Sequence, residues 1–175
     1  MSKTVKLLVA LLVTTLIGIA GGNYFLLQRS AQMVLESDPR NAGISVFAHY
    51  EYFVVPSVMV IDLRKVSGTN SLADVTRVLL QFSQAQKSKS YLQVKLAYRG
   101  NPKFILKGDY FQTLGLEFGN QNPVYTMRTL PENVYKIDGT AAFGTWTGGM
   151  LGVLGKQMED FTEFHRQWYI SELVK

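Results

Sequence analysis

The sequence predicts an α+β protein with an N-terminal transmembrane helix. Behind it comes a two-layer α/β sandwich, with about five strands in a mixed sheet, one strand-helix-strand crossover and a long C-terminal helix. Three observations predict this. Residues 7–27 form 21 consecutive positions without a charge. Segments with period-2 and period-3.6 hydrophobicity alternate after them. A sustained apolar stripe occupies the C-terminal region.

The apolar segment comes first. About 20 apolar residues cross a bilayer core as a helix, the form that satisfies every backbone amide internally. Lys3 and Lys6 stand just before it and favour a cytoplasmic N-terminus, with everything after residue 28 exported. A cleaved signal peptide is the competing reading, because residues 7–17 make an h-region and Gly18-Ile19-Ala20 a small-x-small site. The continuation through Tyr24-Phe25-Leu26-Leu27 to spanning length favours the anchor. Ala10, Thr14, Gly18 and Gly22 share one helix face, so the helix carries a small-residue surface for packing on a second helix in lipid, including that of a homodimer.

Three parts are expected: residues 1–28 as anchor, 29–43 as a juxtamembrane helix and linker, and 44–175 as an exported α/β domain. Residues 28–37 continue as helix, with Leu27, Ala31, Val34 and Leu35 on one side and packing on the domain expected. Pro39 ends that helix, since proline disfavours helix in the residue before it. Residues 44–55 alternate, placing Ile44, Val46, Ala48, Tyr50, Tyr52 and Val54 on one face of a strand. After Pro56, residues 57–66 give a second strand with the doubly buried run Val58-Met59-Val60-Ile61. Ser71 and Asp74 make a capping box, and Leu72, Val75, Leu79 and Phe82 step along an amphipathic helix. Residues 91–99 form a third strand with Leu92, Val94, Leu96 and Tyr98 inward, parallel to the second across a right-handed crossover.

Gly100-Asn101-Pro102 turns the chain into a fourth strand, residues 103–107. Asp109 is placed to cap a short helix that Gly119 follows, and residues 124–128 read as the fifth strand. The final helix runs from about residue 147 to 173. Leu151, Leu154, Met158, Phe161, His165 and Trp168 make its core stripe.

Composition narrows the chemistry. The chain has no cysteine, which excludes disulfides, thiolate catalysis and cysteine-ligated zinc. The net charge is +5, but without Lys3, Lys6 and Arg29 the remainder carries 15 basic and 13 acidic residues, or +2. The basic pI therefore reflects residues flanking the anchor and gives no case for nucleic acid. The two histidines stand in no HExxH pattern, so no metal site or cofactor is expected. No GxSxG is present, and the run Gly148, Gly149, Gly152, Gly155, Lys156 fails as a phosphate loop because Gln157 stands where the hydroxyl belongs. Glycine inside a helix costs about 1 kcal/mol, so Gly148, Gly152 and Gly155 point to close approach of another backbone, from a strand of the domain or from a partner helix.

Four groups of candidate residues follow. Lys95, Arg99, Lys103 and Lys107 fall in a stretch without acidic residues and are expected to share a basic face that binds anionic lipid or an acidic partner. Gly18, Gly22, Gly148, Gly152 and Gly155 are expected at helix contacts. Asp62, Trp146 and His165 are the candidate pocket residues, Asp62 lying toward the C-terminal end of a central strand and His165 the first candidate base. The aromatic strand Tyr50–Phe53 joins them in a ligand-binding alternative. The leading expectation is a non-enzymatic accessory or interaction subunit of an envelope complex in the cytoplasmic membrane, its domain periplasmic or extracellular and its partners membrane lipid and protein. A lipid- or apolar-ligand-binding module is the alternative, and an enzyme using Asp62 or His165 ranks third.

Overall fold

A computed structural model describes residues 2–173, the side chains of residues 150 and 151 excepted. The fold is mixed α/β, with an open five-stranded mixed sheet and a long N-terminal apolar helix.

That helix is continuous over Lys3–Ser37. It comprises α1 (Lys3–Asn23), a π turn (Tyr24–Gln28) in which Arg29 N–H donates to Tyr24 C=O, and α2 (Arg29–Ser37). Along α1 the apolar side chains are exposed, whereas Leu27, Ala31 and Val34 are buried in the domain core. The segment after residue 27 therefore packs on the domain through Ala31 and Val34, as its amphipathic pattern predicts. The π turn inserts one extra residue and so re-aims the helix face where it meets the sheet.

Strands β1 (Ser45–Glu51) and β2 (Val55–Lys65) form an antiparallel hairpin. Helix α3 (Leu72–Gln86), started by the Ser71/Asp74 capping box, crosses back to β3 (Gln93–Tyr98), which pairs parallel with β2. Strand β4 (Asn101–Lys107) returns antiparallel, followed by α4 (Gly108–Glu117) and α5 (Pro123–Thr129). The two-residue β5 (Val134–Tyr135) closes the order β1-β2-β3-β4-β5. Helix α6 (Met150–His165), a second π turn (Arg166–Ile170) and α7 (Ser171–Leu173) end the described chain.

One set of alternating strand residues, including Met59, Ile61, Leu63, Val94, Leu96, Phe104 and Leu106, joins α2, α3, Phe164 and Trp168 in the core. The Trp168 indole N–H donates to Ala97 C=O at 3.0 Å and pins the C-terminal helix to β3. Two glycines set the packing of α4. A Cβ on Gly108 would lie 1.7 Å from Tyr91 O, and one on Gly115 would lie 2.3 Å from Ser83 O, so only glycine lets these backbones meet.

Several expectations require correction. The expected fifth strand, residues 124–128, is helix α5: Asn122 accepts from Val124 N–H and Pro123 occupies the first turn, where its missing donor costs nothing. The true fifth strand lies ten residues later. Helix α4 begins at Gly108, with Lys107 in the cap position, so Asp109 sits inside the first turn and does not cap it. Tyr52 and Val54 occupy an exposed hairpin tip, and Leu92 precedes β3 and is exposed. Met158 is also exposed, because the core face of α6 is carried by Phe161, Phe164 and His165.

Candidate functional site

The three expected pocket residues lie in separate neighbourhoods. Asp62 is 1% exposed, accepts from Gly100 N–H at 3.0 Å with each oxygen, and pairs with Arg64 at 2.9 Å. It closes the β3–β4 turn. Trp146, ahead of α6, donates to Asp160 in its C-terminal half at 2.7 Å. His165 is fully buried among Phe161, Phe164, Trp168 and Tyr169, with Nε2 2.9 Å from Thr76 Oγ1. The Thr76 hydroxyl donates to Leu72 C=O, so His165 Nε2 carries the proton in that contact. Burial pushes the imidazole down to about 3, which holds it neutral, and Nδ1 has no hydrogen-bond partner among the described residues. Asp62 and His165 are thus committed to structural bonds, without a common cavity.

The basic set is also divided. Lys95 pairs with Glu51 and Lys103 with Glu172. Arg99, at φ +49° in the β3–β4 turn, lies over the Tyr98 ring, and Lys107, at the opposite end of the sheet, lies over Tyr135. Gly148, Gly152 and Gly155 are exposed, and a Cβ on any of them would meet nothing within 4 Å. The close approach by a strand of the same domain is therefore not made. Gly18 and Gly22 are likewise open. Among the described residues, no group of three or more His, Asp or Glu side chains is placed to hold a metal ion.

What the residue pattern did not reveal is a clamp where the apolar helix enters the domain. β1 is an edge strand, so alternate backbone groups along it lack a sheet partner. Two helix amides supply them. Asn23 accepts from Tyr50 N–H at 2.8 Å and donates to Phe53 C=O at 2.8 Å. Gln28 accepts from Ala48 N–H at 2.8 Å and donates to Val46 C=O at 3.3 Å. Lys89 Nζ donates to Leu26 C=O at 2.7 Å, within the π turn, and burial holds its ammonium below the usual lysine range. The spacing of five between Asn23 and Gln28 is the one available signal: only with the extra π residue do both reach the same strand edge.

Beside this clamp the hairpin tip is strained. Tyr52 and Phe53 have φ of +50° and +65°, the left-handed conformation that Asn-Gly normally fills in a two-residue hairpin. Away from the clamp, a cleft of about 390 Å³ lies between α3 and the α4–α5 segment, lined by Arg77, Thr76, Leu80, Leu114, Phe118 and Met127. Arg77 is held there by Asp74 at 2.8 Å and by Arg40 C=O at 2.7 Å.

No family model, curated protein or solved structure matches the chain.

Proposed function

We propose that the chain is a single-pass membrane protein, its N-terminus cytoplasmic and its domain exported, acting as a non-enzymatic accessory or interaction subunit of an envelope complex. One observation carries the reading. A single uninterrupted helix is bare and apolar through α1, yet packs one side, Leu27, Ala31 and Val34, into the domain core further on. Bare leucines along five turns are stable in lipid and not in water. Lys3 and Lys6, in the first turn ahead of the apolar run, support the orientation. The domain then reads as a two-layer sandwich with helices over one face of the sheet, and a protein partner is proposed on its surface. Lys95, Arg99, Lys103 and Lys107 remain the proposed polar contacts of such a partner, and Gly18 and Gly22 the proposed helix-packing face for a homodimer.

The test is purification of the full-length protein from native membranes in mild detergent after light crosslinking, with mass spectrometry of proteins and lipids. A partner at fixed stoichiometry is the expected result, and co-elution of lipid alone would overturn the subunit assignment. The cleft beside Leu114 and Phe118 favours one second reading, a module that binds an apolar ligand. In that case a co-purifying ligand raises Tm of the wild type, and Leu114→Arg abolishes the rise.

A further inference from the structure

The clamp sets the height of the hairpin tip relative to the apolar helix. Asn23 holds Phe53 C=O, and Lys89 holds Leu26 C=O. Residues 7–26 rise about 30 Å at 1.5 Å per residue, the thickness of a hydrocarbon core. Asn23 then lies about 4–5 Å inside the outer boundary of that core. Whatever is bonded to it is held at the same depth.

The residues held there are apolar and exposed, Phe53 also stacking on the His49 ring. Tyr52 is 78% exposed, Leu92 is 69% exposed, and Val54 and Phe53 are exposed beside them. On the helix, Phe25 and Tyr24 are exposed at the same level. Leu92 belongs to this end because its N–H donates to Ser57 C=O, at the start of β2. Lysines stand around the patch: Lys87 closes α3, Lys89 follows it, and Lys107 lies across the ladder from Gln93, while the neighbouring acids are Asp109 and Glu51, the latter paired with Lys95. The turn itself is an independent observation. Aromatic residues at two successive positive φ values work against hairpin stability, a strain of the kind that persists at binding surfaces.

We propose that this end of the domain, through Tyr52, Phe53, Val54 and Leu92, is seated in the headgroup–acyl boundary of the bilayer that α1 crosses. Tyrosine and its aromatic neighbours favour that boundary, and the lysines meet lipid phosphates just above it. The inference rests on the membrane-spanning reading. It adds a second contact, so the domain lies on the membrane and does not stand off from it.

The absence of cysteine permits single labels in the full chain. Nitroxides are placed by Tyr52→Cys, Leu92→Cys, Val13→Cys and Arg99→Cys in protein reconstituted into phosphatidylcholine–phosphatidylglycerol vesicles. Collision with oxygen and with a water-soluble nickel chelate is then measured. Labels at 52 and 92 are expected to show an oxygen-to-nickel ratio several-fold above the label at 99, on the far turn, with the label at 13 higher still. A lipid-like ratio at 13 with water-like ratios at 52 and 92 overturns the docking and leaves the spanning helix intact. A water-like ratio at 13 overturns both. Labels at 52 and 92 shielded from both reagents mark a protein partner on this surface and also overturn the proposal.

Discussion

Replacing Asn23 with leucine tests whether the clamp is structural. The side chain is 7% exposed and makes three bonds: to Ile19 C=O at 2.9 Å, and to Tyr50 N–H and Phe53 C=O at 2.8 Å each. The Ile19 carbonyl keeps its place in the helix ladder, so its loss matters least. The other two bonds contribute about 1 kcal/mol each, and a strand N–H or C=O left buried without a partner costs about 1–3 kcal/mol. Leucine recovers part of this by apolar burial, so the net loss is about 2–4 kcal/mol. At roughly 2–4 °C per kcal/mol for a chain of this size, Tm in detergent falls by about 4–16 °C. Amide exchange localises the effect: Tyr50 N–H should exchange faster by a factor well above that of β3 amides. Gln32→Leu, on the exposed side of α2, serves as the control. An unchanged Tm together with unchanged Tyr50 exchange would refute the clamp.

Two further predictions concern the core and the glycines. His165 is held neutral at about 3 while the unfolded ring titrates near 6.5. Above pH 6.5 both states are neutral; from there down to about 3 only the unfolded state gains the proton, so stability falls by about 1.4 kcal/mol per pH unit. His165→Phe should flatten the decline of Tm between pH 6.5 and 5 relative to wild type, and parallel curves would contradict this. Gly115→Ala drives a Cβ into Ser83 O and should lower Tm by several degrees, whereas Gly152→Ala meets nothing and should raise stability by up to about 1 kcal/mol. Thermal melts of the two variants decide the matter, and equal shifts would refute the packing of α4 on α3.

Where local chemistry and long-range packing agreed, the residues could be read directly. The Ser71/Asp74 box and the Leu72–Gln86 stripe define α3, and the inward set of β3 follows from alternation. Residues 124–128 misled because Val124 and Tyr125 suit a strand, yet Asn122 and Pro123 are a helix start, and the local cap prevailed. Tyr52 was misread for the opposite reason: alternation continued through a turn whose usual glycine is missing. The exposed glycines of α6 show that a helix pattern reveals which residues share a face but not what stands opposite. Asp62 and His165 look chemically suggestive as residue types; only their partners, Gly100 and Thr76, reveal them as structural. The clamp escaped because Asn23 and Gln28 act through a π turn, which shifts the face by one residue.

That same turn joins helix and domain with no linker between them. Flexible tethers let a domain sample orientations freely, but here one uninterrupted helix of 35 residues is hydrogen-bonded to the edge strand it meets. A rotation or tilt of the apolar half acts directly on β1 through Asn23 and Gln28. The azimuth of the sheet then follows how the helix is gripped. A neighbour that turns the helix steers the whole domain as a rudder stock steers its blade.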